Sequence, residues 1–233
     1  RDRGDDALRE LTSTFDGVVV DDVIVPDEML DRAVDELDLD LRATIERSIE
    51  RVRWFHERAK PQGWEDERDG MRMGVWFNPI ERVGVYVPGG VSPLPSSAIM
   101  TVVPAQVAGV NEIVLCTPPT GVHDDGEPTG WPDPTILATA RLLDVDRVVR
   151  VGGAQAIAAM AYGTDSVPAC DKVVGPGNLY VALAKQQLVA EGIIGTEGYA
   201  GPTEVAIVAD HTADPRHLAA DLIGQAEHDE LVT

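Results

Sequence analysis

The chain has 233 residues, 40 acidic and 19 basic, for a formal net charge of -21 and a pI near 4.4. With 44% hydrophobic and 5% aromatic residues it has the composition of a globular protein, not a disordered one, and length enough for one large domain or two small ones. So negative a chain excludes nucleic-acid binding, which needs cations to neutralise phosphates, and no apolar run approaches the ~18 residues of a membrane span. The opening Arg1-Asp-Arg-Gly-Asp-Asp6 is charged and polar, so no signal peptide is expected. Two cysteines, Cys116 and Cys170, cannot build a disulfide framework, so a reducing cytoplasm is expected. Lys60, Lys172 and Lys185 are the only lysines. Self-repulsion on this scale is best tolerated where salt screens it, so a salt-adapted source and an acidic protein of an ordinary cell are both open.

In chain order, apolar Leu8, Leu11 and Phe15 predict a helix over 6–15, closed by Asp16-Gly17. The short apolar run 18–20 precedes two helices, about 27–37 and 39–59. The second carries Leu41, Ile45, Ile49, Val52 and Phe55 on one stripe and stops at Pro61-Gln62-Gly63. The charged segment 65–69 reads as a solvated turn. Strands are predicted over 72–77 and 82–87, joined by the Asn78-Pro79 turn. Strand and helix then alternate: a helix over about 97–108, a strand over 112–116, and a helix opening at Asp133-Pro134, a good N-cap followed by a first-turn proline. A strand over 147–151 leads to a helix over 154–162 ending at Gly163. A strand over 172–174 leads to a helix over 179–191, and a strand over 204–209 to a last helix over about 214–227. Short β-branched strands separated by helices imply an α/β fold with a largely parallel, helix-covered sheet. The Gly/Pro/Asp-rich stretch 121–131 reads as a surface insertion.

In such a sheet, ligands bind beyond the carboxyl ends of the strands. Three predicted ends are glycine-rich: Val85-Tyr86-Val87-Pro88-Gly89-Gly90, Val151-Gly152-Gly153-Ala154-Gln155 and Val174-Gly175-Pro176-Gly177-Asn178. Glycine lets a ligand approach the backbone closely, and each loop adds one polar side chain, Tyr86, Gln155 or Asn178. Any one alone reads equally as a tight βα turn; three on one edge point to a shared crevice. None is a G-x-G-x-x-G fingerprint, so spacing alone does not imply a dinucleotide. A fourth loop, 197–204, offers the Thr203 hydroxyl to a small polar ligand or is a plain connector. At the end of the last helix Gln225 and His228, three apart, share a face. Imidazole and amide oxygen could hold a divalent metal such as zinc; alternatively His228 is a helix-end residue favoured by the dipole. Cys116 reads as a small core hydrophobe; His56, His123, His211 and His217 read as surface or packing residues.

Taken together, the run from Glu81 to Gly90, Pro93-Leu-Pro-Ser-Ser97, Val151-Gly-Gly-Ala-Gln-Ala156, Val174-Gly-Pro-Gly-Asn178, Ala200-Gly-Pro-Thr-Glu204 and Gln225-Ala-Glu-His-Asp229 closely resemble histidinol dehydrogenase, in order and approximate spacing across the whole chain. The resemblance implies a cytoplasmic, homodimeric, zinc- and NAD-dependent oxidoreductase of histidine biosynthesis. Such an enzyme oxidises L-histidinol to L-histidine through bound L-histidinal, with two NAD. It further implies NAD contacts at Tyr86, Gln155 and Asn178, zinc ligands at Gln225 and His228, and substrate contacts at Thr203, Gln225 and His228. Threonine at 203 stands where the family has serine, keeping the hydroxyl. The implied architecture is Rossmann-like, of the aldehyde-dehydrogenase-like type. Residues 1–80 would be a helical segment of a first, incomplete α/β domain, 81–203 the NAD-binding domain and 204–233 a return to the first.

The family's general-base Glu–His pair and its remaining zinc ligands have no counterpart before Thr233, and the dimer shares its active site. The chain is therefore expected to be an N-terminal-side piece of a longer enzyme, without catalytic residues of its own and inactive alone. Two other readings stay open: a related dehydrogenase of another small amino alcohol or diol, and a non-catalytic binding or scaffold protein built from this half.

Overall fold

A computed structural model describes residues 2–89, 93–123, 126–198 and 204–227. The helix α1 (Gly4–Phe15) is followed by α2 (Asp27–Asp35) and α3 (Leu39–Ala59). The Asp38 carboxylate caps α3 by accepting the Asp40 and Leu41 amides. Of the expected stripe on α3, Ile45 is buried and Ile49 and Val52 pack against the core, whereas Leu41 and Phe55 stand exposed.

The next segment departs from expectation. Residues 65–69 are no solvated turn: β1 (Trp64–Arg68) pairs antiparallel with β2 (Met71–Val75) in a two-stranded hairpin. Nor does β2 pair with the strand that follows it. Asp69 and Gly70 both take positive φ, 55° and 77°, the conformation an Asp-Gly hairpin turn requires.

The remaining strands, β3 (Arg82–Tyr86), β4 (Glu112–Cys116), β5 (Arg147–Val149), β6 (Lys172–Val174) and β7 (Gly195–Thr196), form one parallel sheet in the order β5-β4-β3-β6-β7. Between them lie α4 (Pro95–Ala108), α5 (Pro134–Leu142), α6 (Gly153–Tyr162) and α7 (Leu179–Ala190). Successive strand residues point to opposite faces, and both faces are buried, as a helix-covered parallel sheet demands. Val83, Val85, Ile113, Leu115 and Val148 pack with α2 to α5 on one face. Val114, Cys116, Val149 and Val173 pack with α1, α6 and α7 on the other. A close approach is built in at Gly84, where any side chain would meet Met160 of α6.

Beside β5, the segment 23–25 covers the sheet edge with antiparallel backbone bonds, Val25 N–H to Val148 O at 2.9 Å and Arg150 N–H to Val23 O at 2.8 Å. The expected insertion 121–131 is tied to the body where described: Arg150 donates to the Gly130 carbonyl at 3.0 Å and lies over the Trp131 ring.

Arg1–Glu197 form one compact unit and Gly198–Thr233 another. In the second, α8 (Pro215–Ala226) opens at Asp214, whose carboxylate accepts the Arg216 amide at 2.9 Å. The strand expected over 204–209 is absent: these residues pair with no described strand and are exposed. The fifth strand of the sheet is instead β7, only two residues long.

Candidate functional site

Because the five strands are parallel, their carboxyl ends lie along one edge. From β3 the chain moves out to β4 and β5, then returns across β3 to β6 and β7. The helix that follows β3, α4, packs on one face and α7, after β6, on the other. The connections leaving β3 and β6 therefore run to opposite faces, and the switch point of the sheet lies between these two strands, the position where open α/β sheets bind ligands.

Three of the six expected site residues lie at this edge. Tyr86 ends β3 and is only 4% exposed, on the α6 side of the sheet. Its hydroxyl accepts the Gly153 N–H at 3.0 Å, so the first glycine loop is pinned to the second. Burial is the main reason the Tyr86 phenol is held above its ordinary pKa, with the nearby thiol of Cys116 and carboxylate of Asp16 adding to it. Gln155, in the first turn of α6, is half-buried and lines a groove of about 340 Å³ against α1, together with Leu11 and Phe15. Asn178 is the N-cap of α7: its Oδ1 accepts the Val181 N–H at 3.1 Å, and the residue is otherwise exposed.

Gly175 joins the loops. Its φ of +115° is closed to other residues, and an added Cβ would run into the Tyr86 carbonyl. Beyond it stands a pair that sequence reasoning did not single out. Lys185 of α7, 7% exposed, donates to the Gly175 carbonyl and to Glu197 Oε1, the latter at 2.7 Å. The same Oε1 accepts the Gly175 N–H at 2.9 Å. Burial pushes the Glu197 carboxyl up, but hydrogen bonds from Lys185, its own backbone and Thr196 outweigh it, and the net pKa is lowered. The signal was present: Lys185 falls on the Val181/Leu188 face of an apolar helix, where a lysine needs a partner.

Asp16, just past α1, has its Oδ2 buried with no hydrogen-bond partner among the described residues, and burial raises its pKa. Both cysteines are buried and inert, the Cys170 thiol pushed up to about 12 chiefly by burial and Cys116 higher still.

The three other expected residues belong to the second unit. Gln225 is half-buried on α8, while Thr203 and His228 lie outside the described residues, as does their expected convergence. Among the described residues no group of three or more His, Cys, Asp or Glu is placed to hold a metal.

The profile of one protein family, histidinol dehydrogenase, matches residues 1–233. The chain belongs to the histidinol dehydrogenase family. A histidinol dehydrogenase of Natronomonas pharaonis is 48% identical over 98% of this chain, and one of Pseudomonas savastanoi pv. phaseolicola 46% over 99%. The crystal structure of histidinol dehydrogenase from Elizabethkingia anophelis superposes with a TM-score of 0.90 at 37% identity, covering 98% of this chain and 51% of that one. The chain spans about half the length of the histidinol dehydrogenases it matches.

Proposed function

We propose that this chain carries the dinucleotide-binding part of an enzyme that oxidises L-histidinol to L-histidine through bound L-histidinal, the last step of histidine biosynthesis. The observation that carries the reading is the switch point between β3 and β6, flanked by glycine turns at the carboxyl edge of a parallel sheet, where a ligand crevice is expected. Those turns fit NAD: the Gly175–Asn178 turn admits a diphosphate against its backbone, and it leads directly into the N-terminus of α7, where amide dipoles favour an anion. Asn178 caps that helix end through Val181, and Tyr86 sets the neighbouring turn through Gly153. Gln155 borders the same edge. On this reading the sheet is Rossmann-like within an aldehyde-dehydrogenase-like architecture, residues 81–203 make the NAD domain, with α1 to α3 packed on its sheet, and 204–233 belong to a second α/β domain.

For zinc, the support is donor chemistry. Gln225, in the last turn of α8, and His228 supply an amide oxygen and an imidazole three residues apart in sequence, and Thr203 offers a hydroxyl to the substrate. When bound, NAD accepts hydride from the carbinol carbon and zinc orients the substrate's imidazole and amine. The protein's share is to hold the aldehyde in place between the two oxidations and to exclude its escape. We further propose a cytoplasmic homodimer that shares the active site; among the described residues no helix is long and apolar enough to cross a membrane.

The test uses the full-length protein and an NADH-forming assay with histidinol and zinc. Asn178→Asp keeps a capping carboxylate but sets a negative charge at the helix N-terminus that would meet the diphosphate. The expected result is a KM for NAD raised at least roughly tenfold with the melting temperature unchanged and the KM for histidinol little altered. An unchanged KM for NAD contradicts the site.

A further inference from the structure

We infer that the Lys185–Glu197 ion pair is a positioning device for the dinucleotide, holding the Gly175–Asn178 turn in its receiving shape; the inference rests on the reading of the β3/β6 crevice as the NAD site.

The pair takes up both backbone polar groups of Gly175. Glu197 Oε1 accepts its N–H at 2.9 Å, and Lys185 Nζ donates to its carbonyl. Gly175 lies one residue past the end of β6, so no sheet ladder satisfies it, and a turn at such a place ordinarily leans on water or a neighbouring side chain. Here the partners are fixed. The Thr196 hydroxyl lies within hydrogen-bond distance of Val173 O, 2.7 Å, and of Glu197 Oε2, 2.8 Å, so the two-residue strand β7 presents Glu197 to the turn. Lys185 stands on α7, about two turns beyond the cap Asn178. Gly175, the turn, the start of α7 and Lys185 thus close into a ring that lies against the Tyr86 backbone on one side and ends at the cap Asn178 on the other.

The chemistry of the pair argues for geometry over stability. A charged group on the buried face of α7, between Val181 and Leu188, loses hydration that the ion pair only partly restores, and apolar residues of like volume are often as stable or more so. What an apolar residue cannot do is hold the Gly175 carbonyl. Nor is arginine an easy substitute, since its flat fork needs more room than a buried, compact ammonium. In a chain that otherwise relies on arginine for its positive charge, a lysine occupies this position.

Full-length protein is assayed as wild type, Lys185→Met, Glu197→Gln and an Asn178→Ala control, measuring both KM values, zinc content and melting temperature. The inference expects Lys185→Met and Glu197→Gln each to raise the KM for NAD roughly tenfold or more, with the KM for histidinol and the zinc content within about twofold of wild type. Should Lys185→Met fail to fold, Glu197→Gln carries the test, because its amide keeps the volume and an acceptor for Gly175 while removing the charge. A lowered melting temperature with both KM values unchanged, or the two KM values rising together, overturns the inference. If Asn178→Ala raises the KM for NAD while neither pair variant does, the positioning role falls and the site stands. If Asn178→Ala also leaves that KM unchanged, the site reading falls and takes this inference with it.

Discussion

Gly175 concentrates the demands of the edge into one residue, with a φ of +115° and the Tyr86 carbonyl where a Cβ would be. Gly175→Ala should therefore destabilise the fold by about 1–3 kcal/mol, visible as a melting temperature lower by several degrees, and raise the KM for NAD as well. Two carboxyl groups give opposite pH signatures. Glu197 has its pKa lowered below 4.5 in the folded chain, so its stabilisation is present above 4.5 and is lost as the pH falls through the folded value. Asp16 has its pKa raised by burial, so the folded chain holds that proton to higher pH than the unfolded chain and Asp16 disfavours folding at neutral pH. Asp16→Asn should leave stability at pH 7 unchanged or higher, and Glu197→Gln should lower it; denaturant midpoints at pH 4 and pH 7 check both. At this scale the sequence exposed the glycines and their polar neighbours, because backbone demands of that kind can only be met by glycine. It hid that Tyr86 is buried beneath α6 and that Lys185 and Glu197 meet, since these depend on how elements pack; the Asn178 cap, an asparagine directly before a predicted helix, is a local signal.

The elements were legible wherever local chemistry and tertiary setting agree. Asp133-Pro134 opens α5 as expected, with the Asp133 carboxylate accepting the Thr135 N–H at 2.7 Å. Asp133→Ala should cost about 1 kcal/mol, or roughly 2–4 °C in melting temperature for a unit of this size, without touching either KM. Strand β4 spans the expected 112–116 because its alternate residues feed both buried faces. The hairpin was missed because Glu65-Asp-Glu-Arg68 has no apolar alternation; its pairing is carried by backbone bonds and by the Asp69-Gly70 turn. Strand β7 was missed because two residues carry no period. Conversely, Val205, Ile207 and Val208 have strand-like composition, yet a strand requires a neighbour and no described strand adjoins them.

Over the whole molecule the excess of 21 negative charges sets a repulsion that the few surface ion pairs, each worth little, do not offset. Raising the salt concentration from 0.1 M to 1 M shortens the Debye length from about 10 Å to about 3 Å and should raise the melting temperature, the Lys185–Glu197 pair, in which Lys185 is buried and the Glu197 side chain 42% exposed, being less affected than the exposed pairs. A falling melting temperature would mean that attractive pairs dominate. The parallel class of the fold followed from the alternation of strands and helices, but the strand order did not, because which strands neighbour β3 is decided by the return of the chain across the sheet. That order sets the switch point between β3 and β6 on which the functional reading depends. Its most direct test is a crystal structure of the full-length protein with NAD bound. The account predicts the diphosphate against the Gly175–Asn178 turn, between the loops that leave β3 and β6. A dinucleotide seated elsewhere, whether in the groove between α1 and α6 or at the amino ends of the strands, contradicts it.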